Sequence, residues 1–328
     1  MKFDKKDKII LESLFRDCRI SLKDLSKKTN LTYSAVSYRI KKYEEEKLIL
    51  SYDAIINFNK FKDICASFFV SIPNDISEKF EKYCLKNKNI MSLIGNIHKY
   101  NYSIFGVFDE KGEDELVNYF DKLGVNYLHY KYDTIYSFNL NVFDNIDNIR
   151  EEKRAFSKKI TLDNIDVKLM KNLFSGGARK SSMELARELN LRADLVAYRI
   201  RRLDRSGYFV RYIAQPNPEK FKMGWEVLSI EVNNNGYLNS KGDCVENVFE
   251  RTGKCAFLFK SGENKYIASI FINGLKELKE LLKKIYNELD NDLVKLDYYP
   301  TGDWIFLNRL DLDGYFEVKK SSNKTQPQ

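Results

Sequence analysis

Between residues 32 and 42 the chain sets Thr32, Tyr33, Ser34, Ser37, Tyr38, Arg39, Lys41 and Lys42 in a row with no carboxylate among them. Hydroxyls and phenols can bond phosphate oxygens and base edges, and cations can neutralise backbone phosphates, so this set suits a double-stranded nucleic acid. The spacing also supplies a scaffold for it. Val36, Ile40 and Tyr43 fall at i, i+4 and i+7, a single apolar stripe on a helix. Thr32 or Ser34 can cap the start, and Glu44-Glu45-Glu46 arrives only after about three turns. One such stretch is equally well explained as a surface helix with a solvated basic face.

A second copy separates the two explanations. At an offset of 160, Asn30-Leu31, Val36 and Tyr38-Arg39-Ile40 recur as Asn190-Leu191, Val196 and Tyr198-Arg199-Ile200, and Lys41-Lys42 becomes Arg201-Arg202. Keeping the apolar stripe is what a core requires. Keeping the cations is not, so the repeat favours two nucleic-acid-reading helices, over 32–47 and 192–205. Arg39, Lys41 and Lys42, with Arg199, Arg201 and Arg202, are the expected phosphate contacts. At the base-reading end the copies differ. Thr32, Tyr33, Ser34 and Ser37 face Arg192, Ala193, Asp194 and Ala197. Arg192 can form a bidentate pair with guanine; Asp194 can accept from cytosine, cap its helix or orient Arg192.

The elements that position these helices follow from patterning. Helices are expected over 4–17 and from Ser21 to Thr29, with the small Ser26 letting the probing helix cross closely and Asn30 suited to the turn. Leu48 to Ile56 is expected to form a β-wing, which gives a winged helix-turn-helix. From 64 to 142 the order is β-α-β-β-α-β, with Leu128, Tyr130, Tyr132 and Thr134 alternating as the fourth strand: a ferredoxin-like sandwich. The plan then repeats. The expected fold is α+β, with units at 1–60 (winged helix-turn-helix), 61–143 (ferredoxin-like), 144–160 (linker, partly helical), 161–217, 218–316 and a disordered tail at 317–328. Trp304 to Leu307 is expected to extend the last sandwich strand.

Composition limits the rest. The chain has 328 residues and a net charge of +8, a weak pointer to a polyanionic partner. No apolar run approaches the roughly 20 residues of a membrane span. The charged start, Met1 to Asp7, lacks the apolar stretch of a secretory signal. The five cysteines are odd in number and not clustered, which favours a reducing cytoplasm over a disulfide framework or a zinc site. With only His98 and His129, a histidine-rich metal site is not expected. No catalytic constellation or cofactor motif is read. Gly176-Gly177 lacks the Lys-Ser/Thr of a phosphate cradle, and His129 and the sheet tyrosines read as packing.

Asp4 to Leu11, Arg19-Ile20-Ser21, and Leu31 to Ser37 with Arg39-Ile40-Lys41 resemble the Lrp/AsnC family of bacterial and archaeal regulators. The resemblance covers nearly the whole chain, twice. It implies transcription regulation through sequence-specific binding of double-stranded DNA. It also implies dimerisation through the sandwiches, here within one chain as a pseudo-dimer, with pairing of chains into a homo-oligomer left open. A small-molecule effector, often an amino acid, is implied near a Gly-Asp-Tyr-Asp-like turn. The turns here are Asn96 to Tyr102 and Ser261 to Tyr266, and neither keeps those acidic residues in place. An alternative stays open. Siroheme decarboxylases resemble the same architecture and carry a catalytic histidine near the place of His98, although the Arg- and Trp-rich surroundings of a tetrapyrrole are missing.

Overall fold

The computed structural model describes residues 3–57, 60, 64–138, 142–143, 160–233, 237–238 and 243–307. The linker expected at 144–160, apart from Ile160, and the tail expected at 317–328 lie outside the described residues.

The first head holds α1 (Lys5–Arg16), α2 (Leu22–Thr29) and α3 (Tyr33–Glu45). Each start is fixed chemically. Asp4 and Asp7 form a reciprocal capping box on α1, and Ser21 accepts from the Asp24 amide on α2. Asn30 closes α2 in the left-handed region at φ 52°, where Asn is better tolerated than most residues. Strand β1 (Ile49–Ile56) leads out.

The first sandwich follows as β2 (Ile64–Val70), α4 (Ser77–Lys86), β3 (Ile90–Asn96), β4 (Tyr102–Phe108), α5 (Glu110–Leu123) and β5 (Tyr127–Tyr132), then β6 (Thr134–Ser137). The second head repeats the first. It has α6 (Asn164–Asn172) running into a wide turn at Leu173–Gly177, then α7 (Ser182–Leu189), α8 (Ala193–Arg205) and β7 (Phe209–Pro216). A short helix α9 (Pro218–Phe221) precedes β8 (Gly224–Val232). A two-stranded ribbon, β9 (Tyr237–Leu238) and β10 (Asp243–Cys244), leads to α10 (Val245–Thr252). Then come β11 (Cys255–Ser261), β12 (Lys265–Ile272), α11 (Gly274–Leu289), β13 (Leu293–Tyr299) and β14 (Thr301–Leu307).

Strand pairing adds to one expectation and corrects another. The wing of each head is a single strand: β1 pairs antiparallel with β7, its counterpart from the other head, with Asp53 opposite Ile213 and Ala54 opposite Tyr212. The last strands also cross over. The sheets run β14-β3-β4-β2-β5 and β6-β11-β12-β8-β13, one order in both. Strand β6 leaves the first sandwich to pair with β11, and β14 leaves the second to pair with β3. Thr134 therefore does not continue β5, and Trp304 does not extend β13.

The alternation along each strand divides the core. Ala66, Phe68 and Val70 face the helices of their sandwich, whereas Cys65 and Phe69 join a core that continues into both heads. The sheets meet through Phe69 on Tyr299, with ring centroids 4.4 Å apart, and Phe105 and Tyr132 on Phe259, at 5.4 and 4.7 Å. Aromatic pairs at such separations add about 0.5–1.5 kcal/mol beyond the apolar area they bury. One contiguous core thus fixes both heads to the sheet pair.

Candidate nucleic-acid interface

Thr32 is the N-cap of α3; its hydroxyl accepts from the Ala35 amide at 3.2 Å and lies 3.1 Å from the Ser34 hydroxyl. Val36, Ile40 and Tyr43 are buried. Tyr33, Ser34, Ser37, Tyr38 and Lys41 are exposed, and their spacing places them along the outer face. Tyr38 is 70% exposed. Lys41 and Lys42 make long contacts to Glu45 and Glu46, at 3.7 and 3.8 Å. On α8, Tyr198 is exposed and Arg201 is an exposed cation whose Nε donates to the Ala197 carbonyl at 3.2 Å.

Arg39, Arg199 and Arg202 are placed differently from the expectation that they face phosphates. Arg39 Nη1 donates to Asp4 at 2.9 Å and Asp7 at 2.5 Å, the two carboxylates of the α1 capping box. Tyr43 donates to the same Asp7 oxygen at 2.6 Å. In the second head Arg199 reaches Asp163 at 2.6 Å and Asp166 at 3.2 Å, and Arg202 reaches Asp166 at 2.7 Å and the Thr161 carbonyl at 2.9 Å. These bonds fasten the first helix of each head to its probing helix. Burial alone would lower the Arg39 pKa, but the bonds it donates to Asp4 and Asp7 raise it above the usual guanidinium value. Burial likewise opposes ionisation of Asp4, yet the Asp7 amide and Arg39 hold its carboxyl below the usual range.

Arg192 occupies the N-cap of α8 and makes no side-chain cap bond. Its Nε and Nη2 instead donate to the two oxygens of Asp194 at 3.1 and 2.8 Å, with the side chains 84% and 68% exposed. Of the three roles open to Asp194, the geometry displays the orienting one.

The heads clasp each other with a near two-fold pattern that sequence reasoning missed. Arg19 Nη1 donates to the Ala178 carbonyl at 3.1 Å, and Arg179 Nη1 donates to the Cys18 carbonyl. The Cys18 amide donates to Tyr212 O and the Ala178 amide to Tyr52 O, both at 3.0 Å. Asn57 Nδ2 donates to Gly207 O at 3.1 Å, and Asn217 Nδ2 to Lys47 O at 2.9 Å. Each pair is related by the 160-residue offset, so the repeat was the available signal.

The turn after β3 is braced by the backbone. Asn101 exchanges bonds with both the amide and the carbonyl of Ile72, at 2.7 and 2.8 Å, and Asn96 donates to Ser103 at 2.6 Å. His98 stands against Tyr299, with ring centroids 4.7 Å apart. The matching turn of the second sandwich has Gly262, whose amide donates to Asp133 at 2.7 Å. Cys18, Cys65, Cys84 and Cys255 are buried free thiols, and burial pushes the Cys18 thiol up to about 12. Among the described residues no group of three or more His, Cys, Asp or Glu could hold a metal ion, and no helix is long and apolar enough to cross a membrane.

Residues 3–49 match the family described as winged helix-turn-helix DNA-binding. The match covers the first head, from just before α1 to the start of β1. HTH-type transcriptional regulator Ptr1 of Methanocaldococcus jannaschii is 38% identical over 69 residues, 21% of this chain and 45% of that protein. The chain therefore spans less than half the length of this relative. An uncharacterised HTH-type transcriptional regulator of Pyrococcus furiosus is 27% identical over 129 residues, 38% of this chain and 82% of that protein. The crystal structure of the siroheme decarboxylase NirDL matches 98% of this chain and 100% of its own, with a TM-score of 0.64 and 12% identity. That likeness is one of fold.

Proposed function

We propose that the chain is a transcription regulator that grips one DNA duplex with both of its heads, using α3 and α8 as the major-groove probes. The observation that carries this is the clasp between the heads, in which β1 pairs with β7 while Arg19 and Arg179 bond across. It holds two probing helices in a fixed relation, as two half-sites on one duplex require. Tyr33, Ser34, Ser37, Tyr38, Arg192 and Tyr198 face bases and sugars, and Lys41, Lys42 and Arg201 face phosphates. Arg39, Arg199 and Arg202 act by holding the probing helices in place. A single chain supplies both heads, so two-headed binding needs no second chain. The test is fluorescence anisotropy of the full chain with duplexes selected from its own genome. Tight binding that falls linearly in a log-log salt plot supports the proposal, and affinity indifferent to salt overturns it.

A second reading is a tetrapyrrole enzyme. It is favoured by the full-length fold likeness to NirDL and by His98 standing against Tyr299. Titration with siroheme separates the readings: a stoichiometric visible absorbance change that is lost in His98→Ala supports the enzyme, and no change supports the regulator.

A further inference from the structure

The two heads are unequal in what they leave free for DNA. In the window 32–46 three cations stand against three glutamates; in 192–206 five arginines stand against two aspartates. Arg199 and Arg202 are spent on Asp163 and Asp166, which leaves Arg192, Arg201 and Arg205 on the surface of the second head. In the first head Lys41 and Lys42 lie near Glu45 and Glu46, and the Thr32 hydroxyl is occupied in capping.

Arg192 adds a difference in kind. A guanidinium has five N–H donors, and the Asp194 carboxylate takes one from Nε and one from Nη2. The second Nη2 hydrogen and both Nη1 hydrogens remain. The Nη1/Nη2 end is a parallel fork that fits the O6 and N7 acceptors of guanine. Asp194 thereby restrains the side chain while leaving its end free, which reduces the conformational entropy lost on binding. The first head offers hydroxyls at the equivalent positions, and these discriminate little between bases.

We propose that the second head is the specificity head, reading guanine through Arg192 buttressed by Asp194, and that the first head is sequence-tolerant, so the chain docks on DNA in one orientation. This rests on the DNA-binding reading above.

The experiment is selection of bound sequences from a random duplex library by the full chain, the R192A and D194N variants, and T32A. Both residues of the pair are exposed, so these variants keep the fold. The wild type is expected to enrich a non-palindromic site with guanine fixed in one half. R192A is expected to lower affinity for that site by roughly 10- to 100-fold and to erase the guanine from that half alone. D194N keeps the guanine with reduced enrichment, and T32A changes neither half by more than a few-fold. A palindromic selected site, or an R192A loss spread equally over both halves, overturns the asymmetry and leaves DNA binding standing. Failure to enrich or bind any duplex overturns both.

Discussion

Arg19 and Arg179 each reach across the molecule to the carbonyl that precedes the other: Arg19 Nη1 donates to Ala178 O at 3.1 Å and Arg179 Nη1 donates to Cys18 O. Each guanidinium also stands over the tyrosine of the other head's strand, Arg19 over Tyr212 at 5.0 Å and Arg179 over Tyr52 at 5.7 Å. A charge-assisted bond and a cation–π contact meet in each residue, at a partly buried place where water competes little. The single substitutions Arg19→Ala and Arg179→Ala are expected to cost roughly 1–2 kcal/mol each. The double variant should also lose affinity for a two-half-site duplex more than for one half-site. Chemical denaturation and anisotropy on the two duplexes check this; equal losses on both would sink the clasp as a spacing device.

The arginines of the probing helices divide into two experimental classes. Arg199 and Arg202 share Asp166, which is fully buried. Arg199→Ala should cost roughly 2–3 kcal/mol of stability, below the full cost of stranding a buried charge because Arg202 still holds Asp166. Lys41→Ala should cost almost no stability, since its contact to Glu45 is long and its side chain is 75% exposed. It should instead lower the slope of log affinity against log salt by about one. Thermal unfolding together with salt titration reads both. A Lys41→Ala protein with unchanged slope, or an Arg199→Ala protein with unchanged melting, contradicts the division.

These classes show where sequence reading stops. The helix-turn-helix was legible because Val36, Ile40 and Tyr43 form a local periodic stripe, and the cap at Thr32 is local too. The partner of Arg39 is not local: Asp4 lies 35 residues away, and a run of basic residues looks the same whether its cations face water or a carboxylate. Strand exchange was hidden for a related reason. Alternation continues from Tyr132 to Thr134, although the chain changes sheets at Asp133. Period-2 patterning tells which face a residue takes, and is silent on which sheet receives the strand. The repeat offset, by contrast, carried information beyond the helices, because Arg19 and Arg179 fall on it.

Lys47 and Gly207 are equivalent under the repeat, and both adopt positive φ, at 55° and 71°. Each carbonyl accepts from an asparagine of the other head. Glycine meets no Cβ penalty there, whereas lysine does. Lys47→Gly is expected to stabilise the fold by about 0.5–1 kcal/mol, reduced from the full left-handed penalty by the extra freedom glycine brings to the unfolded chain. A lower melting temperature in that variant contradicts the assignment.

Glu12 supplies the pH dependence. It sits on α1, 5% exposed, and its carboxylate accepts from the Phe143 amide at 2.8 Å. Burial raises its pKa from the ordinary 4.5 to about 7, against the opposing pull of the Phe143 and Val142 amides, Arg16 and Lys254. The folded state therefore holds a proton that the unfolded state releases near 4.5. Stability from this group is complete below that pH, declines as pH rises, and levels off once the folded carboxyl ionises above about 7. A shift of this size amounts to roughly 3 kcal/mol across the window. Glu12→Gln keeps an acceptor for the Phe143 amide and carries no charge, so its stability should be nearly flat between pH 5 and 8, about where the wild type declines. Urea denaturation of both proteins across that range decides the matter. A wild-type curve that rises with pH, or a Glu12→Gln curve parallel to it, would show that Glu12 does not set the dependence.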